Sequence, residues 1–270
     1  MTAGRGGAVR RPDIEVRLAS TTFGRPLYWA DSVDSTNRVV LEWAASGAPE
    51  GLTLVADYQT AGRGRRGRRW VAPPGTALLM SVLLYPERGA SLLPLVTGVV
   101  LAQVLEELAD LEVELKWPND VLVRGRKVAG ILAEAVTVGE RVGVVVGVGV
   151  NVRVPRTLLE SVSVAATSVA FETDRPPSRQ DVLLALLPRW ERHYRQLQRG
   201  TWSLDLWRAR APMLGRPITV VAGEGAWTGV ALDVASDGAL LVRRADGRVE
   251  AVYAADVTVR KPEAERMREG

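Results

Sequence analysis

The sequence predicts an α+β domain followed by a small antiparallel β-barrel, and two observations support this prediction. Over residues 26–212, apolar runs typical of strands alternate with segments of helical periodicity, which predicts a mixed β-sheet with flanking helices. From about residue 214, short strand-like runs are joined by Ser-Asp-Gly and Ala-Asp-Gly, which are typical of hairpin turns. We therefore assign residues 26–212 to one domain and residues 213–262 to a β module.

Periodicity and capping residues predict three helices in the larger domain. The first covers residues 34–47 and the second residues 95–111, where apolar side chains recur at helical spacing. The third runs over residues 178–198, because Ser178 followed by Asp181 forms a capping box at its start.

Apolar runs bounded by turn residues predict the strands. They lie at 51–59, 76–85 and 141–152, and a strand, turn and strand follow one another over 113–136. The turn in the last of these is the Pro-Asn-Asp sequence at 118–120.

Two segments have no clear pattern. Residues 1–25 are rich in Gly and Arg, and we expect them to form a flexible basic lead-in. Residues 153–163 are expected to form a mobile loop.

Composition excludes several kinds of chemistry. The chain has no cysteine, so disulfides, thiolate catalysis and Cys-based zinc sites are excluded. The one histidine, His193, rules out a multi-His metal site, and its distance from every motif predicts a surface position. The net charge of +4 suits anionic ligands without requiring nucleic acid.

No membrane span or secretion signal is predicted. The longest apolar stretch, residues 92–105, is interrupted by Pro94 and Gln103, and the N-terminus has no apolar signal core. We therefore expect a cytoplasmic protein that does not bind membranes.

The stretch AGRGRRGRRW, residues 61–70, holds five arginines and three glycines. Its glycines match the dinucleotide fingerprint, but the following VAPPGT cannot open the helix which that fingerprint requires. Three interpretations remain from the residues alone: a solvated loop, a nucleic-acid patch, or a loop that wraps a small anion with backbone N–H groups and guanidinium forks.

An ordered set of motifs favours the third interpretation. DSTN (34–37), Gln59, GRGRRGRRW (62–70), KWPND (116–120), KVAGIL (127–132) and GVGVN (147–151) closely resemble the catalytic core of biotin–protein ligases. The resemblance implies a biotin/lipoate ligase-like catalytic domain with a C-terminal SH3-like barrel. It also implies a two-step reaction, in which biotin and ATP form biotinyl-5'-AMP and a carrier lysine then takes the biotin.

The resemblance also assigns roles to residues at matching positions. Catalytic residues would be Lys127, Arg65 and Arg68. Biotin would be bound by Ser35, Thr36, Asn37, Gln59, Arg63, Gly64, Arg65 and Lys127. ATP or the adenylate would be bound by Arg63, Arg65, Arg68, Trp70, Lys116, Asn119, Lys127 and Asn151.

Several motif residues also have a purely structural interpretation. Ser35 and Thr36 are good helix caps, and Asn119 suits a turn. Gly147 and Gly149 are compatible with β-bulges, and Lys127 with an exposed strand edge.

Two other functions were weighed. Some relatives are biotin-responsive repressors with a helix-turn-helix domain, but about 25 residues precede the core motifs here, too few for that domain. A lipoate–protein ligase would lack the arginine–glycine loop and the KWPND motif. We therefore expect biotin and ATP as substrates, Mg²⁺ only with ATP, and a biotin carboxyl carrier protein as partner. We expect no nucleic-acid partner, and a homodimer is among the states that the sequence allows.

Overall fold

The protein folds around two β-sheets. The structure, a computed structural model, describes residues 7–162, 164–222, 225–253 and 255–259. A mixed eight-stranded sheet with helices precedes a separate five-stranded antiparallel sheet, so the predicted fold class is confirmed. Of the ranges assigned from sequence, residues 1–6, 163, 223–224, 254 and 260–262 lie outside the described residues.

The strands of the larger sheet are mostly antiparallel. In chain order they are β1 (Val9–Arg10), β2 (Leu27–Val33), β3 (Thr53–Gln59), β4 (Ala77–Leu84), β5 (Val113–Lys116), β6 (Asp120–Val123), β7 (Arg126–Val138) and β8 (Arg141–Asn151). Their spatial order is β1-β2-β3-β4-β8-β7-β6-β5, with β2 and β3 parallel. The segment predicted as strand, turn and strand therefore holds three strands, because a second turn follows at Arg124 and Gly125.

The helices are α1 (Pro12–Glu15), α2 (Thr36–Ala45), α3 (Leu93–Ala109), α4 (Arg156–Ser161), α5 (Val169–Glu172), α6 (Arg179–Arg199) and α7 (Asp205–Arg208). The three helices predicted from sequence correspond to α2, α3 and α6, and α6 starts with the predicted Ser178–Asp181 capping box. The stretch Ala90–Ala109 is long and apolar enough to cross a membrane, yet 72% of that window is buried inside the protein. Burial on all sides is what a central core helix requires.

The prediction of a flexible lead-in is wrong for the described residues of that segment. Strand β1 pairs with β2, and Ile14 and Phe23 are buried in the main core. The buried carboxylate of Glu191 accepts hydrogen bonds from the backbone N–H groups of residues 21–23. The sequence could not indicate this, because the partner lies in α6, far along the chain.

The expected mobile loop at 153–163 contains regular structure. It includes α4, and Val154 and Leu159 are buried. Some of its apolar residues line the cavity described below. The sequence did not indicate the helix because α4 is too short to show apolar periodicity.

The C-terminal module consists of β9 (Pro217–Ala222), β10 (Gly225–Val234), β11 (Leu240–Arg243), β12 (Val249–Val252) and β13 (Asp256–Val259), in the spatial order β12-β11-β10-β9-β13. It contacts the first domain directly, since the indole N–H of Trp117 donates to the carbonyl of Gly238 at 3.0 Å. Strand β13 lies beside the arginine–glycine loop, because Arg68 pairs with Asp256 at 2.7 Å.

Candidate active site

One cavity of about 810 Å³ brings together every residue to which the resemblance assigns a role. The larger sheet provides its floor, and the arginine–glycine loop, residues 159, 162 and 164–166, and β13 contribute to its walls. The site residues on its lining are Ser35, Thr36, Asn37, Gln59, Arg63, Gly64, Arg65, Arg68, Trp70, Lys116, Asn119, Lys127 and Asn151.

A network of uncharged polar groups forms one end of the cavity. The backbone N–H and hydroxyl of Thr36 donate to Oε1 of Gln59 at 2.7 and 3.1 Å. The Ser81 hydroxyl lies within hydrogen-bonding distance of Thr36 Oγ1 (2.7 Å) and Asn37 Oδ1 (2.6 Å). Ser35 precedes α2 without a side-chain capping bond, so helix capping does not account for its side chain.

Sequence reasoning missed two residues of this end. Ser81 is fully buried in β4, and its signal was a single hydroxyl in an otherwise apolar strand. Glu134 accepts from Asn37 Nδ2 at 2.8 Å and pairs with Arg63 at 2.8 Å. It lies beyond the KVAGIL motif, so spacing alone did not connect it to the site.

Glycines in the floor of the cavity leave space for the side chains that lie directly above them. A Cβ on Gly149 would lie 2.6 Å from Cε2 of Trp70, and one on Gly130 would lie 2.9 Å from Cζ3 of the same ring. A Cβ on Gly147 would lie 2.2 Å from Oδ1 of Asn37. The register between β7 and β8 is continuous here, so the β-bulge interpretation of Gly147 and Gly149 is wrong.

Lys127 lies at the centre of the site. Its ammonium is 2.5 Å from Oδ1 of Asp120 and 5.6 Å from the centroid of the Trp70 ring. Its backbone N–H donates to Ala165 and its carbonyl accepts from Thr167, both at 2.9 Å, so it does not occupy an open strand edge. Lys116, at the end of β5, also lines the cavity.

The arginine–glycine loop is a tight hairpin whose backbone is held by hydrogen bonds. The N–H of Gly64 donates to Arg68 at 2.7 Å, and the N–H of Trp70 donates to Gly62 at 3.0 Å. At its tip, Arg66 has φ 55° and Gly67 has φ 73°, the left-handed region that glycine tolerates best. No helix follows, as the sequence predicted.

The loop meets one carboxylate of the C-terminal module. Arg68 and Arg66 lie 2.7 and 3.6 Å from Asp256, and Arg65 lies 3.9 Å from it. Nη1 of Arg65 also donates to the carbonyl of Ala255 at 3.2 Å. Burial lowers the pKa of Arg65 below its ordinary value, and the nearby Asp256 opposes this shift. The guanidinium thus lies in a partly desolvated position, where electrostatic interactions are stronger than in water.

Comparisons with known proteins agree with this geometry. Residues 29–151 match the model of the Biotin/lipoate A/B protein ligase family, and residues 213–260 match the Biotin protein ligase C terminal domain. The chain belongs to this family. It is 37% identical to a biotin–[acetyl-CoA-carboxylase] ligase of Mycobacterium tuberculosis, over 92% of this chain and 96% of that protein. It is 32% identical to the bifunctional ligase/repressor BirA of Bacillus subtilis, over 93% of this chain and 79% of that protein.

A solved structure of the family shows the same fold. The biotin protein ligase from Aquifex aeolicus in complex with biotin and ATP superimposes with a TM-score of 0.74 at 32% identity. The match covers 87% of this chain and 99% of that one. Fold class and biotin–protein ligase membership are thus confirmed, while the roles of individual residues remain predictions.

Asn119 and Asn151 each tie two segments of the cavity wall together. Asn119 donates from Nδ2 to the carbonyl of Ile131 at 2.7 Å, which ties the KWPND turn to β7. Asn151 donates from Nδ2 to the carbonyl of Thr167 at 3.0 Å. Both side chains therefore hold walls of the cavity in place.

The expectation that His193 lies on the surface is wrong. The side chain is buried, with Nε2 3.1 Å from Gln103 and Nδ1 accepting from the indole N–H of Trp202 at 3.0 Å. Burial lowers the pKa of His193 to about 4. The residue is absent from the cavity lining, so it is a core histidine.

Proposed function

We propose that this chain activates biotin with ATP to biotinyl-5'-AMP and transfers the biotinyl group to a lysine of a carrier protein. The observation that supports this most directly is the division of one cavity into two ends. One end presents hydroxyl and amide groups around Gln59, and the other presents arginines and Lys127. A neutral head and an anionic tail of a single ligand suit these two ends.

The uncharged end suits the ureido ring of biotin. That ring is neutral, and its N–H and C=O groups must find partners when they are buried. Ser35, Thr36, Asn37 and Gln59 provide hydroxyl and amide groups, and Ser81 holds Thr36 and Asn37 in place. Arg63 and Gly64 lie where this end meets the arginine–glycine loop.

The charged end suits the first half-reaction. A carboxylate oxygen of biotin attacks the α-phosphorus of ATP, the bond to the β-phosphate oxygen breaks, and pyrophosphate leaves. Two anions must approach each other, so fixed positive charge is the main requirement. Arg65, Arg68 and Lys127 supply that charge, and all three line the cavity.

The second half-reaction needs an intact mixed anhydride. The carrier lysine, as a free amine, attacks the biotinyl carbonyl, the bond to the phosphate oxygen breaks, AMP leaves and the amine proton passes to solvent. Water must be kept from the anhydride until then. Trp70, Leu159 and Val162 form an apolar wall suited to this task and to packing against a purine.

The remaining roles follow from position. Lys116, Asn119 and Asn151 line the nucleotide side of the cavity. Mg²⁺ would enter with the triphosphate, which usually supplies several of its ligands. The carboxylates of Asp120 and Asp256 on the cavity lining pair with Lys127 and Arg68, so the triphosphate would provide the ligands of the ion. When bound, it would neutralise phosphate charge.

We propose a biotin carboxyl carrier domain of an acyl-CoA carboxylase as the protein substrate, as the name of the Mycobacterium tuberculosis relative suggests. Such a substrate and ATP imply a cytoplasmic location. The described residues ahead of Leu27 form a two-residue strand and a four-residue helix.

The test is direct transfer to a carrier. The enzyme, biotin, MgATP and an apo carrier domain are incubated, and the intact mass of the carrier is measured. We expect one biotinyl group on the single reactive lysine, and none when ATP is omitted or when that lysine is replaced by arginine. Labelling that does not require ATP, or that occurs only with lipoate, would overturn the proposal.

A further inference from the structure

A buried carboxylate outside the cavity is connected to the strand that carries Lys127. Glu172 ends α5, and its side chain has no solvent exposure. Its Oε1 accepts from Nη2 of Arg126 at 2.7 Å and, in a short hydrogen bond, from the hydroxyl of Thr167. A fully buried carboxylate needs such partners, because leaving it unpaired would cost several kcal/mol.

Arg124 lies 3.5 Å from Oε2 of Glu172, and the two partners that hydrogen-bond to Oε1 are next to Lys127. Arg126 directly precedes Lys127 in β7, and the N–H of Thr167 donates to the carbonyl of Lys127 at 2.9 Å. The pairing of β7 with β8 reaches only to Ala129, so residues 165–167 take the place of β8 beside Lys127. The backbone of Lys127 is thus held by a segment that Glu172 holds in turn.

The same segment is a wall of the cavity. Ala165 and Ala166 line the main cavity, and a second cavity of about 300 Å³ lies along the same residues. Because a cavity lies on each side of this wall, the wall depends for its position on the contacts at Thr167, where it ends. The contacts at Thr167 are the Glu172 carboxylate and Nδ2 of Asn151.

We infer that Glu172 is a positioning residue for Lys127, acting through Arg126 and Thr167 and without touching the substrates. The inference rests on the proposed ligase chemistry. Loss of the carboxylate charge loosens the wall and lets Lys127 move relative to the reacting phosphate. Misplacement of about 1 Å is enough to cost up to about a hundredfold in rate. The biotin end, on α2, β3 and β4, keeps all of its contacts.

The experiment measures single-turnover adenylate formation and biotin affinity in Glu172→Gln and Thr167→Val. We expect both variants to slow adenylate formation at least about tenfold while the Kd for biotin stays close to that of the wild type. Thr167→Ser, which keeps the hydroxyl, should restore most of the rate. Because the two residues act as a unit, the double variant Glu172→Gln/Thr167→Val should lose little more than either single variant.

Glu191→Gln is the matched control. Glu191 is another buried carboxylate with several donors, but they belong to residues 21–23, away from the cavity. We expect this variant to lower the unfolding midpoint without slowing adenylate formation.

The outcomes separate the inference from the proposed function. If the wild type forms no biotinyl-adenylate, the ligase proposal fails. If the wild type is active and Glu172→Gln or Thr167→Val keeps its full rate, the positioning role is refuted. An equal slowing in Glu191→Gln would also refute it, since the effect would then reflect general loss of stability.

Discussion

The close approach of Gly149 to the ring of Trp70 gives the most specific prediction about the adenylate end of the cavity. Gly149→Ala would place a Cβ 2.6 Å from Cε2 and 2.8 Å from Cζ2 of the Trp70 ring. Carbon atoms prefer separations of about 3.5–4.0 Å. The ring must therefore retreat by about 1 Å, toward the space that the adenylate would occupy.

The magnitude follows from what the ring can do. Overpacking a core position typically costs about 1–3 kcal/mol. Trp70 is only partly buried and borders the cavity, so it can move, and we expect a loss near the lower end, about 1 kcal/mol. Displacement at the reacting site is more costly, and we expect adenylate formation to fall by about ten- to a hundredfold.

The assay is biotin-dependent exchange of labelled pyrophosphate into ATP, with biotin affinity measured separately by calorimetry. Gly143→Ala in the same strand is the control, because its Cβ would lie 3.1 Å from Tyr85, away from the cavity. We expect Gly149→Ala to impair the use of ATP and to leave biotin binding nearly unchanged. Wild-type exchange in a folded Gly149→Ala enzyme, or an equal loss in Gly143→Ala, would refute the assignment of Trp70 to the adenylate.

Three further predictions concern charged or titrating side chains. Lys127→Ala should slow pyrophosphate release far more than it lowers the urea unfolding midpoint, because its charge acts mainly in the transition state; an unchanged release rate would make it a structural lysine. Arg65→Gly removes a charge-assisted hydrogen bond worth about 1.5–3 kcal/mol, so adenylate retention should weaken about ten- to a hundredfold. Biotin should then appear on bystander albumin by avidin blot, whereas retention as tight as in the wild type would show that Arg65 does not hold the adenylate. Burial lowers the pKa of His193 from 6.5 to about 4, so the unfolded state binds the proton more readily than the folded state. The free energy of unfolding that is present above pH 6.5 is therefore lost as the pH falls toward 4, by roughly 3 kcal/mol at most. Urea unfolding of His193→Gln should lack most of this pH dependence, and a wild-type profile in that variant would contradict the assignment.

The sequence predicted the parts of this fold that local patterns encode. Helices α2, α3 and α6 were found because apolar periodicity and a capping box are properties of neighbouring residues. The described residues of the N-terminal segment were misjudged because their order depends on Glu191, which lies about 170 residues away. The same limit applies to His193, whose burial is set by Gln103 and Trp202.

In the candidate site, too, the sequence indicated what local patterns encode and missed what depends on distant contacts. Its residues with assigned roles were identified from sequence, and the structure gathers all of them around one cavity. Ser81 was missed because it is the one polar residue of an otherwise apolar strand, and Glu134 because it lies beyond the motif at the start of β7. Asp256 and Glu172 were missed because their roles come from contacts between distant segments, which no spacing records.

The most direct test of the account is the rate at which labelled pyrophosphate enters ATP when the wild-type enzyme is given biotin, lipoate or no acid. The division of the cavity into a hydroxyl- and amide-lined end and a cationic end predicts exchange with biotin alone. Absence of exchange with biotin, or equal exchange with lipoate, would contradict the claim that this cavity activates biotin.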